Sequence, residues 1–95
     1  MKIIKSPNPL KKYRAIFDNG RHTGFGAAGY SDFIQYSKQS KELAEKHKQA
    51  YLARHRINEN FNDPYSAGSL SRWILWNLPS LSDSIIDYKR RFRFN

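Results

Sequence analysis

The stretch Ser66–Trp76, SAGSLSRWILW, constrains this chain more than any other. Leu70, Trp73 and Ile74 recur at three- and four-residue spacing and share one helical face, Leu75 widens that stripe, and Trp76 is set to one side. Both tryptophans of the protein fall here. Ser66 stands where an N-cap is needed, its hydroxyl taking an orphan N–H of the first turn, and Ala67 brings high helix propensity just inside. Asn77 and Pro79 close the helix, because the residue before a proline is pushed out of the helical region. A helix this short and apolar is marginal alone and must be packed from several sides. It is expected to be the core that the other elements cover.

With 95 residues the chain has room for one domain and one small core. Lys and Arg number 17 against 8 Asp and Glu, for a formal net charge of +9 and a pI near 10.0. Such an excess favours anionic partners, whether nucleic acid, an acidic protein surface or lipid headgroups, and says nothing about the fold. The absence of cysteine excludes disulfides, thiolate chemistry and thiolate-ligated zinc, and is compatible with an intracellular or virion-interior protein. No apolar run approaches the roughly 20 residues that span a bilayer, and the opening MKIIKSPNPLKKY has no hydrophobic region of secretory length. Both observations argue against a secreted or integral membrane protein.

Residues 1–11 read as a basic, proline-containing arm, with residues 12–95 forming a single domain that ends in a basic tail. Pro7 and Pro9 favour extended structure and deny ladder hydrogen bonds. The arm is a solvated tail, an edge segment lying on a partner, or a phosphate-contacting element. Tyr13, Ala15 and Phe17 then alternate with Arg14 and Ile16 at strand period. Asp18-Asn19-Gly20-Arg21 follows, and Asn-Gly signals a type I′ hairpin turn with a return strand over about Arg21–Phe25. The run from Gly24 to Tyr30 is a Gly-shaped packing corner or an anion-binding nest; no phosphate-loop or dinucleotide pattern is met. Ser31–Ile34 begins a turn or short helix, with Tyr30, Phe33 and Ile34 available to the core.

Residues 38–56 are helical in pattern, with Leu43, His47, Ala50, Tyr51 and Arg54 on one thinly apolar face. Arg54-His55-Arg56 ends that helix as a basic cluster, where positive charge suits the carbonyl end of the dipole. Ile57 and Phe61 anchor the polar connection that follows. Past Pro79, Ser80 or Ser82 caps a last helix over about Leu81–Arg91, whose Leu81, Ile85, Tyr88 and Phe92 should face the Trp73 helix. Asp83 lies early in it and Lys89, Arg90 and Arg91 late, in the order the dipole favours. Arg93, Phe94 and Asn95 follow as a terminus to be ordered by a neighbour.

No catalytic chemistry emerges. His22, His47 and His55 lack the i,i+4 spacing of a zinc-binding helix, the carboxylates fall in turns without a pairing, and no nucleophile-elbow sequence surrounds Ser66, Ser69 or Ser71. The expectation is a non-enzyme with no metal and no cofactor. Arg21, His22, Arg54, His55, Arg56, Lys89, Arg90, Arg91 and Arg93 are the residues suited to contacting an anion or partner. Tyr13, Phe25, Tyr30 or Phe94 could stack on bases if exposed, yet no helix-turn-helix, finger, bZIP or RRM signature is present.

The combination GRHTGFGAAGYSDF, YLARHRINENFNDPYSAGSLSRWILW and SIIDYKRRF resembles a family of small uncharacterised basic proteins encoded by large double-stranded DNA viruses of algae and protists, over about Lys12 to Phe92. The resemblance brings no active site to transfer. It implies a viral context: the virion, or host cytoplasm or nucleus during infection, with other virion or assembly proteins as partners. Two functions follow as expectations. One is a minor capsid or internal particle component whose terminal segments order on assembly. The other is an accessory protein making nonspecific phosphate contacts with nucleic acid. The fold expected is α+β, a small antiparallel hairpin or sheet packed against about three helices, with Tyr13, Phe17, Leu43, Tyr51, Leu70, Trp73, Ile74, Ile85 and Tyr88 in the core.

Overall fold

The computed structural model describes all residues, Met1–Asn95. Three antiparallel strands, β1 (Lys2–Lys5), β2 (Lys11–Ile16) and β3 (His22–Ala27), lie in the order β1-β2-β3. Four helices follow: α1 (Phe33–Ser37), α2 (Lys41–His55), α3 (Ala67–Leu70), which runs on as a π-helical turn over Ser71–Leu75, and α4 (Leu81–Phe92). The architecture is α+β, as the pattern implied, with α1 standing where Ser31–Ile34 was expected to begin a turn or short helix.

Register explains which sheet face is buried. Ile3 pairs with Ala15 and Ala15 with Thr23, while Tyr13 pairs with Phe25, so these side chains share one face. Ala15, Phe17 and Phe25 join Met1, Leu70, Ile74, Leu75 and Tyr88 in the core cluster, with Tyr13, Trp73 and Ile85 packed half-buried against it. The opposite face carries Lys2, Ile4, Arg14, Ile16 and His22.

The supposed N-terminal arm is part of the sheet. Lys2–Lys5 forms β1, Met1 is buried, and Pro7 and Pro9 fall in the β1–β2 connection, where they interrupt no ladder. That connection is held by the Ser6 Oγ, which accepts from Asn8 N, and by Asn8 Oδ1, which accepts from Leu10 N. The C-terminal segment is likewise ordered within the chain. Phe94 N donates to Lys89 O at 2.8 Å, and the Phe94 ring meets Phe17 at 5.3 Å. Met1 N donates to Asn95 O at 2.8 Å and to Asp18 Oδ1 at 3.1 Å.

The hairpin stands where expected, but its turn is of another type. Gly20 alone has positive φ (+88°), Gly20 N donates to Phe17 O, and Phe17 N donates to Arg21 O. This is a three-residue loop, a type I turn closed by a left-handed glycine, and Asn19 instead accepts from Arg21 N through its side chain.

Helix faces shift in two places. In α2 the buried residues are Ala44 and Tyr51; Leu43 is half-exposed and both Ala50 and Arg54 are exposed, because α2 packs on α1 through a small residue and flat rings rather than an aliphatic stripe. In the central segment the Ser66 cap forms, its Oγ accepting from Ser69 N, but the helix widens after Leu70. Each π-type bond spans one more residue than an α-type bond, which turns Leu75 inward beside Leu70 and Ile74 and moves Trp73 to a half-buried position. Trp73 Nε1 then donates to Phe61 O. In α4 the cap is Ser80, and Ser84 and Tyr88 are buried. Tyr30 and Ile57, assigned to the core and to an anchor, are 73% and 78% exposed.

Candidate ligand cleft

The cleft is built where α1 and α2 meet the end of the π turn. Asp32 caps α1 in a capping box, its carboxylate accepting from Gln35 N while Gln35 Oε1 accepts from Asp32 N. Ser40 caps α2 by accepting from Leu43 N. With both starts fixed, Tyr36 of α1 stacks on His47 of α2, centroids 3.9 Å apart and planes parallel. One turn further, Tyr51 stacks on Trp76 at 4.6 Å and 6° and also with His55 at 4.4 Å. Trp76 reaches that position because it leaves the π turn at φ −121° with its N–H still bonded to Ser71 O. Tyr36 and Trp76 stand 6.3 Å apart, tilted by 43°.

Two glycines complete the walls. A Cβ on Gly26 would lie 2.7 Å from Leu75 Cδ1, and one on Gly68 would lie 2.6 Å from Glu59 Oε2. Glu59 is thereby seated on the α3 backbone, where Glu59 Oε1 accepts from His55 Nδ1 at 3.1 Å and Oε2 is buried without a hydrogen-bond partner. The Tyr51 phenol is pushed up from its ordinary value, first by burial and then by the Glu59 carboxylate, against the opposing pull of Arg72 and Arg54. It stays a neutral hydrogen-bonding group at any physiological pH.

The cleft, open to solvent on one side, has a volume of about 440 Å³. A second, shallower cleft of about 630 Å³ lies between the β1–β2 connection and α1, and the two meet along Lys11, Lys12, Tyr30, Ser31 and Asp32. Lys12 Nζ is committed to Asp32 Oδ2 at 2.7 Å. Lys11 and Arg54, also lining the first cleft, have no carboxylate within salt-bridge distance.

The nine residues singled out for anion contact are dispersed over the surface. Arg54 and His55 line the cleft, while Arg56, the C-cap of α2, is exposed outside it. Arg21 lies over the Tyr65 ring at 4.2 Å beside the hairpin turn, and His22 opens β3 opposite Ile16. Arg91 lies 3.6 Å over Trp73, which Arg72 also covers at 4.1 Å, and pairs with Asp87 at 3.3 Å. Lys89 and Arg90 complete the last turn of α4, and Arg93 ends it in the left-handed region.

Burial and the neighbouring Arg91 guanidinium lower the Arg72 pKa, while Tyr51 and Glu45 oppose that shift; Arg72 Nη1 donates to Trp76 O at 2.6 Å. Lys48 is lowered by burial and by Arg72, and its Nζ donates to Asn77 O. These half-buried cations satisfy the carbonyls at the end of the π turn. No three His, Asp or Glu side chains come together as a metal-ligand set, and no helix is long and apolar enough to cross a membrane.

Sequence reasoning passed over Lys11, Lys12, Asp32, Tyr36, Glu59 and Trp76 as a group. Two signals were available: the Asp32-x-x-Gln35 capping box, and the i,i+4 series Tyr51, His55, Glu59. Among known proteins, no curated protein and no solved structure matches the chain. A family of unknown function, DUF5754, matches residues 1–55, from β1 to the end of α2 and so including the segment first read as an arm. The match covers more than half of the sequence, and the chain belongs to that family.

Proposed function

We propose that the protein is a non-enzymatic, sequence-nonspecific nucleic-acid-binding accessory protein, acting in the large-DNA-virus setting that its resemblance implies. The observation that carries this reading is the unbalanced surface. Of 17 Lys and Arg, only Lys12 and Arg91 lie within salt-bridge distance of a carboxylate. Arg72 and Lys48 are taken up by the carbonyls of Trp76 and Asn77, but exposed cations such as Lys11, Arg54, Arg56 and Arg90 are available to phosphates, and each phosphate neutralised releases a counterion. Fluorescence anisotropy with a labelled 20-mer across a salt series tests it. Micromolar or tighter binding at low salt, falling linearly on a log–log plot with added salt, is expected, as is weakening when Arg54, Arg56, Lys89 and Arg90 are changed to Glu. Absence of binding at low salt would end the proposal.

A particle component is the second reading, favoured by the 74% and 73% exposure of Leu10 and Tyr30, which flank the same end of the sheet. Phe94 and β1 are ordered within the chain, so the order of the terminal segments does not wait for a neighbour. Mass spectrometry of gradient-purified particles, washed with nuclease and with high salt, separates the two. Retention at fixed stoichiometry after both washes supports a structural component, whereas release with the genome supports the nucleic-acid reading.

A further inference from the structure

We propose that the Tyr36–Trp76 cleft receives an unstacked base of a single-stranded nucleic acid, with the adjoining phosphates on Lys11 and Arg54. The inference rests on the nucleic-acid reading and assigns it a site. Aromatic rings in a concave site offer a π-face to any base without reading its sequence, and cations beside them track the backbone. Here Trp76 and Tyr36 are each backed by a parallel partner, Tyr51 and His47, so their positions are held before a ligand arrives. A volume of about 440 Å³ lies within the range of small-ligand sites.

Of the two acids that line the cleft, Asp32 is paired with a cation, and Glu59 keeps its unpartnered Oε2 buried away from the opening. Asp32 is neutralised by Lys12 at 2.7 Å, and Glu59 is turned onto Gly68 and held by His55. Lys11 and Arg54 have no carboxylate within salt-bridge distance. Continuity with the second cleft gives the strand a path, since that cleft adds Lys5 and Lys38 beyond the shared Lys11 and Lys12. A duplex cannot place a paired base in this concavity without first unstacking and unpairing it.

The test compares a labelled twelve-residue oligothymidylate with a twelve-base-pair duplex at one salt concentration, using anisotropy and quenching of tryptophan emission. Single strand is expected to bind at least about tenfold tighter than duplex and to quench emission, since losing one base stack costs about 5- to 160-fold in affinity. Tyr36→Leu should lose that much for the single strand and little for the duplex, with circular dichroism checking that the fold survives. Arg54→Gln, at an exposed position, is the second variant and should weaken the single strand without removing the quenching. Equal binding of strand and duplex, or single-strand affinity untouched by a folded Tyr36→Leu, overturns the site and leaves the parent reading standing. Inorganic phosphate competing as well as thymidine monophosphate would also overturn it, since the cleft would then hold the phosphate alone. Failure of both probes to bind overturns both proposals.

Discussion

At Tyr88 one hydroxyl ties three elements together. It donates to Pro64 O at 2.6 Å and lies 3.4 Å from Ser69 Oγ, and burial pushes its pKa up to about 12. Tyr88→Phe leaves the Pro64 carbonyl without this donor and should cost about 1–2 kcal/mol in urea denaturation. Because the folded value is raised, the protonated phenol stabilises the fold fully below about pH 10, and that contribution is lost as pH rises through about 12. The alkaline loss of stability should therefore be shallower in the variant, and equal slopes would contradict the assignment. Gly26 is a second single-residue constraint. Its φ of +79° and the nearness of Leu75 Cδ1 both forbid a side chain, so Gly26→Ala should destabilise by about 2–4 kcal/mol, read by the same denaturation. Large residues with strong spacing, Leu70, Ile74 and Tyr88, were legible in the sequence. Ala44 was not, because an alanine's burial depends on what lies opposite.

Among the elements, those defined by local chemistry were readable and those defined by distant partners were not. The hairpin and the Ser66 cap follow from Asn19-Gly20 and from a serine preceding Ala67, both short-range effects. Strand β1 escaped because Ile3 and Ile4 are adjacent and so point to opposite faces, leaving no alternation to detect beside two prolines. The π turn escaped because Ser71–Leu75 fits an α-helix equally well; packing on β3 and α4 decides between the two geometries. The end of α4 offers a check at this scale. Arg93 takes φ +59° and closes a 6→1 bond from Phe94 N to Lys89 O, a position where glycine is the usual occupant. Arg93→Gly should raise stability by about 0.5–1 kcal/mol, measurable as an upward shift of the thermal midpoint.

Taken whole, the molecule is an α+β domain with an unbalanced charge, and only the first property came with its geometry in the sequence. The cleft was not legible, since Lys11, Tyr36, Arg54 and Trp76 come from four separate segments that only the tertiary fold brings together. A net charge of +9 with few carboxylate partners repels itself in the folded state. The thermal midpoint should therefore rise between about 0.01 M and 0.15 M salt, as the screening length shrinks from roughly 30 to 8 Å. A falling midpoint would mean that the native ion pairs outweigh this repulsion.

The π turn also ties the cleft to chain length. Trp76 meets Tyr51 because the bond from its N–H to Ser71 O encloses one residue more than an α-helical bond would. Removing a residue from Ser71–Leu75 would restore the ordinary helical repeat and rotate the tryptophan off its partner, with a drop in near-ultraviolet dichroism as the visible sign. The cleft thus depends on the count of residues in one turn as well as on their identity, so deleting the codon of Arg72, Trp73 or Ile74 would erase it while leaving every lining side chain in the sequence.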